Sequence, residues 1–347
     1  MKSIPVTARI SDVARKAEVS TATVSRFLRG DRVRNVERIV QAIEALDYRP
    51  VIAAQSLRSG IHYAVAMVVP DITNPYFAAL AKGVESVFRD TDYRLFLANT
   101  DESSKIEDAV LKDVSSRVDG IILVPALEQD ELPLRLRRAG IPIVLVDREL
   151  TEKAFESVLV DNLGGAAAAA RYFIELGHTA IAMISGPLGN TPGRARYEGF
   201  LAALAEVGIR PPPEYLEVAD FREAGGYQAM LRLLDLPEPP TAVFCANNVM
   251  TVGGLKALAA NRVRVPRDIS LIGFDDLELG MLLHPPLTVI DRPTEEQGVL
   301  AGQLILRHLQ GKQNVGVPNH VVMPTKLIVR GSCGTPRNGP QSQRRST

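Results

Sequence analysis

The sequence predicts an α/β body of two Rossmann-like lobes preceded by an all-α helix-turn-helix headpiece. Three observations carry this. From Ile61 onward, apolar strand-like runs alternate with helical stretches, the pattern of parallel sheets covered on both faces. The strand–helix pairs are too many for one sheet. Finally, residues 1–60 hold eleven Lys or Arg against six Asp or Glu, a net of +5, while the whole 347-residue chain is neutral and the remainder carries −5. A basic end on an acidic body suits a nucleic-acid-binding module joined to a separate domain.

The elements follow in order. Residues 1–9 are an arm in which Lys2 and Arg9 can meet phosphate. ISDVARKAEVSTATVSRFLRG (10–30) reads as two short helices. Ser11 caps the first and Asp12 sits in its first turn, where a negative charge suits the helix dipole. Val13, Ala14 and Ala17 form its inner face. After an interruption from Glu18 to Thr21, a second helix runs to Leu28. Val24, Phe27 and Leu28 turn inward; Thr21, Ala22, Ser25, Arg26 and Arg29 stay outside. A plain helical hairpin has the same pattern, and the local charge favours the DNA-binding version, with the second helix in the major groove. A third helix from about Asn35 to Leu46 shows the 3.6-residue stripe Val36, Ile39, Val40, Ile43, Leu46, which can close a three-helix core. Tyr48-Arg49-Pro50 ends the unit. VIAAQSLRS (51–59) is a linker, or a hinge that turns helical only when supported.

In the body, strands fall at 64–70, 94–100, 120–126, 141–147, 180–186, 213–220, 241–247 and 268–276, with helices between them. The strand at 286–291 and the helix at 296–309 stand at the return to the first lobe, and 321–332 crosses back. The domains are then a headpiece at 1–50 and a hinge at 51–60. The first lobe takes 61–161 plus 292–320, and the second 162–291 plus 321–333. A disordered tail covers 334–347, GTPRNGPQSQRRST.

Several functions are disfavoured. No run reaches the eighteen apolar residues of a membrane span, and the N-terminus lacks the apolar core of a signal peptide. The two cysteines, Cys245 and Cys333, have no metal-ligand spacing, and Cys245 sits in an apolar strand as a buried thiol. A cytoplasmic protein without metal or cofactor is expected. No GxGxxG, GxxxxGK[ST] or GxSxG occurs; GPLGNTPG (186–193) lacks the phosphate-binding lysine, and His178 has no partner pattern for catalysis, so a structural role is expected.

The informative polar residues stand where strands end, where parallel α/β sheets bind ligands. They are Asp71, Asn74, Asn99, Asp101, Asp147, Arg148, Arg194, Arg196, Asp220, Asn247, Asn248, Asp275 and Asp276. Carboxylates accept from hydroxyls and arginines donate in pairs, so a cleft gripping a small hydroxyl-rich molecule is expected, with Tyr76, Phe77 and Phe221 as an apolar face for a ring. Any single Asp or Asn among them is equally a helix cap.

The stretches ISDVARKAEVSTATVSRFLRG, AIEALDYRP, AAQSLRSG, DITNPYF, VDGIILVP, IPIVLVDR, GHTAIAMISG, RARYEGF, VPRDISLIGFDDLE and PPLTVIDRP, in this order, resemble bacterial transcription regulators of the lactose repressor/galactose repressor family. The resemblance implies a headpiece, a hinge helix and a two-lobed body like type I periplasmic sugar-binding proteins. By position it implies that Thr21, Ala22 and Arg26 read base edges, with Arg26 bidentate to guanine. Ser20, Thr23, Ser25 and Arg29 would hold or support phosphate contacts, and Ala54 and Leu57 would enter the minor groove, Leu57 as a wedge. Tyr76, Phe77, Asp147, Arg148, Arg196, Phe221, Asn247, Asp275 and Arg292 would grip the effector. Arg292 stands where the family often has Gln and favours an anionic effector such as an acid or phosphorylated sugar.

The function implied is a sequence-specific regulator, a repressor by analogy. It would bind a near-palindromic operator as a homodimer under control of a sugar-like metabolite, in the cytoplasm and on the nucleoid when DNA-bound. A soluble sugar-binding receptor and a cytosolic sugar-metabolising enzyme are the alternatives. Departures from the family pattern are Glu18 in the inter-helix turn, where Gly is usual, Arg29 for Asn, a shortened loop before the third helix, Val51 for the hinge Asn, and Asn248 for Asp.

Overall fold

The computed structural model describes residues 8–28, 31–48, 60–129, 131–312 and 320–336. The expectations for Lys2, Arg29, Val51, Ala54, Leu57 and most of the tail therefore lie outside the described residues. The chain divides between His62 and Tyr63 into two compact units.

The first unit has three helices: α1 (Ile10–Ala17), α2 (Thr21–Leu28) and α3 (Val36–Ala45). Val13, Ala14, Ala17, Val24, Ile39 and Ala42 form its core, with Phe27, Leu28, Ile43 and Leu46 packed at the margin. Ser11 is not the cap. The cap is Arg9, two residues earlier, and the Asp12 carboxylate accepts its backbone N–H at 2.9 Å. Ser20 caps α2, its hydroxyl accepting the Thr23 N–H at 3.1 Å. Val36 and Val40 are 44% and 37% exposed, against the expectation of an inward stripe. So small a core has room for only one side of α3, and Ile39 and Ala42 take it. Glu18 holds the left-handed turn itself, at φ 52°, with its carboxylate paired to Arg38.

The body contains two sheets. The first is built from β1 (Ala64–Val69), β2 (Arg94–Asn99), β3 (Gly120–Leu123), β4 (Ile143–Val146), β5 (Glu156–Val160) and β11 (His320–Met323), in the order β11-β5-β4-β3-β1-β2 and parallel throughout. The second contains β6 (Ile181–Ser185), β7 (Leu216–Val218), β8 (Ala242–Cys245), β9 (Ser270–Phe274), β10 (Thr288–Asp291) and β12 (Lys326–Ile328), in the order β12-β10-β9-β8-β6-β7, with only β12 antiparallel. The five leading strands of each sheet follow one topology, so the lobes are two versions of one motif.

Two assignments change. Val321–Met323 pairs with β5 in the first sheet, so the last crossing falls between Met323 and Lys326, not at residue 321. Strand β5 was not anticipated: its run between Glu156 and Asp161 is short and shows no alternation. Nor does the body end at Cys333, because the Gly334 N–H donates to Ser270 Oγ at 3.0 Å and its carbonyl accepts from His178.

Helices cover both sheets: in the first lobe α4 (Pro75–Phe88), α5 (Ser104–Val114), α6 (Leu132–Arg138) and α11 (Thr294–Leu309), and in the second α7 (Asn162–Glu175), α8 (Thr191–Glu206), α9 (Glu223–Leu234) and α10 (Asn248–Ala260). Glycine in a helix interior costs about 1 kcal/mol; here it brings backbones together. A Cβ on Gly298 of α11 would stand 2.1 Å from the Leu80 carbonyl of α4, and one on Gly83 equally close to the Glu295 carbonyl. The first lobe has two apolar cores, one on each face of its sheet, and the second lobe has one continuous apolar core. Cys245 is fully buried there, and burial pushes its thiol up to about 12. His178 is a structural anchor, bonded to Thr241, Ser270 and Gly334.

Candidate functional site

The cleft lies where strands of both lobes end. Asp71 and Asn74 follow β1, Asp147 and Arg148 follow β4, Asn247 follows β8, Asp275 follows β9 and Arg292 follows β10. All nine residues expected to grip an effector line one cavity: Tyr76, Phe77, Asp147, Arg148, Arg196, Phe221, Asn247, Asp275 and Arg292. The cavity is about 30 Å³, space for water but not for a sugar ring. A ring enters only if the lobes part or a side chain moves.

Arg292 fills the centre. Its Nε and Nη2 donate to the two oxygens of Asp275 at 2.6 and 2.9 Å, and its Nη1 to Asp147 at 2.5 Å. Its guanidinium also lies over the Tyr76 ring. The Tyr76 hydroxyl donates to Gln297 Oε1 at 2.9 Å, and Gln297 in turn donates to the Val158 carbonyl. Burial disfavours the Asp147 carboxylate, but the charges of Arg292, Arg196 and Arg148 outweigh this and hold its pKa below the ordinary value.

Arg196 is fully buried over the Phe274 ring, 3.5 Å from its centroid. It donates to Asn162 Oδ1 at 2.8 Å and to the Ala246 carbonyl at 2.5 Å, both neutral. Burial, then the like charge of Arg292, bring its pKa down to about 10. Arg148 forms a fork to Glu102, at 2.6 and 2.7 Å. The Arg148 Nε and Arg196 Nη2 atoms are buried without a hydrogen-bond partner.

Three cleft residues hold left-handed backbone: Asp147 (φ 64°), Phe221 (φ 63°) and Asp275 (φ 70°). Glycine would adopt these angles freely, and a bulky residue there costs of order 1–3 kcal/mol, so the side chains are kept at a cost, as happens at binding sites. Gly186, in the glycine-rich 186–193 stretch, leaves room for the Phe221 ring, which a Cβ would approach to 2.0 Å.

The cap reading and the cleft reading both hold for two residues. Asn74 and Asn247 cap α4 and α10, accepting from Tyr76 N and Met250 N, and both line the cavity. Other expected cleft residues instead tie the lobes together. Asn248 Nδ2 donates to Asn74 Oδ1 at 2.9 Å, Arg222 pairs with Asp101 at 2.8 Å, and Arg194 pairs with Glu128 at 2.9 Å. Asn99 accepts from the Ile72 N–H, and Asp276 pairs with Arg330 away from the cavity. Glu102, Asn162 and Gln297 were missed. Glu102 lines the cavity and holds Arg148, Asn162 holds Arg196 and Gln297 holds Tyr76, and no local pattern marks the three.

In the headpiece, Thr21, Ala22 and Arg26 are exposed on α2, and Thr23 and Ser25 are half-buried beside them. Ser20 Oγ lies 2.8 Å from Thr23 Oγ1. Arg26 Nε is 3.8 Å from Asp31, a loose pair that leaves the guanidinium in solvent.

Residues 9–51 match the model described as bacterial regulatory proteins, lacI family, and residues 170–333 match the periplasmic binding protein-like domain. The chain is 36% identical over 307 residues to the ribose operon repressor of Escherichia coli K12, covering 87% of this chain and 93% of that one. The chain belongs to the lacI family of bacterial regulatory proteins. This lacI-family chain is also 34% identical over 329 residues to the E. coli K12 repressor CytR, covering 94% of this chain and 96% of that one. A solved complex of the transcriptional regulator CelR with cellobiose matches with TM-score 0.72 and 30% identity, over 94% of this chain and 99% of the other. The ribose operon protein and CytR are both repressors by name, and the match at residues 9–51 is to a family of regulatory proteins. Among the described residues no helix is long and apolar enough to cross a membrane.

Proposed function

We propose that α2 is the recognition helix of a dimeric repressor whose inter-lobe cleft binds a small, sugar-like polar metabolite. Thr21, Ala22 and Arg26 read base edges in the major groove, and Ser20, Thr23 and Ser25 hold or orient phosphate contacts. Arg29, Ala54 and Leu57 complete the interface in this reading, the last two in the minor groove. The observation that carries the proposal is the burial split on α2: Val24 is fully buried, while Thr21, Ala22 and Arg26 face solvent on a basic unit.

Two copies pair through their bodies. Each lobe exposes large apolar side chains that need cover: Phe96 and Leu97 on the edge strand β2, and Leu279, Met281 and Leu282 on one turn of the second lobe. A two-fold dimer presents its recognition helices about 34 Å apart, so the operator is a near-palindrome. The protein works in the cytoplasm, on the nucleoid while bound.

The effector acts by changing the angle between lobes. Asn74–Asn248, Asp101–Arg222 and Glu128–Arg194 bridge them, and Arg292 at the crossover holds Asp147 of the first lobe and Asp275 of the second, so occupancy of the cleft is coupled to their relative position. Coupling is reciprocal: a ligand that loosens DNA binding itself binds the DNA-bound form more weakly.

The test is selection of duplexes from a random pool by the full-length protein, followed by gel shift. A near-palindromic site with half-sites one helical turn apart is expected. A folded protein with no preference for any duplex, with and without sugars, refutes the proposal.

A further inference from the structure

We infer that the effector of this cleft carries a carboxylate and belongs to the class of hydroxylated sugar acids. The inference rests on the cleft being the effector site. It follows from which hydrogen-bonding groups the cleft has already used and which it has left open.

Arg292 engages the carboxylates of Asp147 and Asp275 together. These are the two buried carboxylates of the lining, the central acceptors that would otherwise receive the hydroxyl protons of a neutral sugar; Asp71 and Asp220 line the cavity nearer solvent. The buried atoms of the lining that lack a partner, Arg148 Nε and Arg196 Nη2, are both donors. A hydroxyl brings a proton as well as lone pairs, whereas a carboxylate brings acceptors alone. The cleft therefore matches a group that only accepts.

Charge points the same way. Asp147 and Asp275 are occupied by Arg292, and Glu102 neutralises Arg148. Arg196 has only neutral direct partners, Asn162 and the Ala246 carbonyl, and no ion pair among the described residues. Burial and the neighbouring Arg292 work against its charge, and the more weakly acting Asp275 and Asp147 only partly offset them. An anion placed against its open N–H relieves that burden. A planar monoanion suits a guanidinium edge; a dianionic phosphate would need donors for three oxygens beside two carboxylates.

The experiment is titration calorimetry of the full-length protein with C4–C6 aldonates and uronates, their parent aldoses, and glucose 6-phosphate. At least one acid is expected to bind about tenfold or more tightly than its parent aldose, since a hydrogen bond to a charged group is about twice as strong as a neutral one. In Arg196→Gln that preference shrinks at least about tenfold, with the melting transition recorded to show folding. The wild-type comparison decides the matter even if the variant does not fold. Tighter binding of an aldose or of the phosphate ester overturns the inference, as does the lack of saturable binding by any acid. Duplex selection without ligand runs in parallel: a selected site together with an aldose preference sinks this inference alone, whereas no selected site sinks the repressor mechanism.

Discussion

Arg292 lies flat over Tyr76, with its guanidinium carbon 3.5 Å from the ring centroid. The two residues come from opposite ends of the body's sequence and meet at the centre of the cleft. Cation–π attraction is strongest when desolvated, at about 2 kcal/mol, and here both partners are buried. The ring is held edge-on to Phe77 and by its hydroxyl to Gln297, so it acts as a fixed platform.

Tyr76→Phe keeps the platform and removes the hydroxyl. Gln297 Oε1 is then left buried without its donor, which costs about 1–3 kcal/mol. Denaturant unfolding of the body should show this loss, while operator affinity without effector stays within twofold. An unchanged midpoint would mean that the Tyr76–Gln297 bond does not matter.

His178 predicts an acid-side loss of stability. Burial lowers its pKa, partly opposed by the bond to Gly334, so the folded protein keeps the ring neutral where the unfolded chain takes a proton. The stability it contributes is complete above the unfolded value, about 6.5, and is lost as pH falls through the folded value. Melting temperature should fall between pH 7.5 and 5.5. In His178→Gln that fall should be shallower, and an identical slope would remove His178 as its source.

Gly298→Ala places a methyl where α4 backbone already stands, 2.1 Å from the Leu80 carbonyl. Overpacking of this kind costs about 1–3 kcal/mol, against a helix-propensity gain of about 1. The net should be destabilising, read by thermal unfolding. A stabilised variant would show that the two helices separate without penalty.

Arg26→Ala should cost about 1–3 kcal/mol of discrimination at one base pair of the selected operator. Competition binding against single-base operator variants measures this. Equal weakening on every sequence would assign Arg26 to phosphate instead.

Much of the molecule is legible locally. The alternation of apolar strands with helices gives the two lobes, because a strand buried on both faces must be apolar along its length. The 21–28 helix is readable because Val24, Phe27 and Leu28 recur on one face. Asp147 and Asp275 stand out because they follow apolar strands, where α/β ligands bind, whereas Arg292 is marked only by the family resemblance. The shortest strands are less readable. β5 lacks a pattern of its own and exists because β4 and β11 flank it. Val36 and Val40 follow the stripe yet stay exposed, because the helical period shows a face but not how much of it the partners cover.

By itself the sequence determined the order of the elements, the basic headpiece and the set of polar residues at the strand ends. Only the tertiary structure decided that β11 joins the first sheet, that Gly83 and Gly298 bring two helices into backbone contact, and that Arg292 occupies both cleft carboxylates and leaves two guanidinium donors open. The reason is range. Periodicity and capping act over a few residues, whereas the strand partners His320 and Ser157 lie 163 positions apart and the buried ion pair of Arg292 and Asp147 joins residues 145 apart, and such energies appear only once the chain has folded.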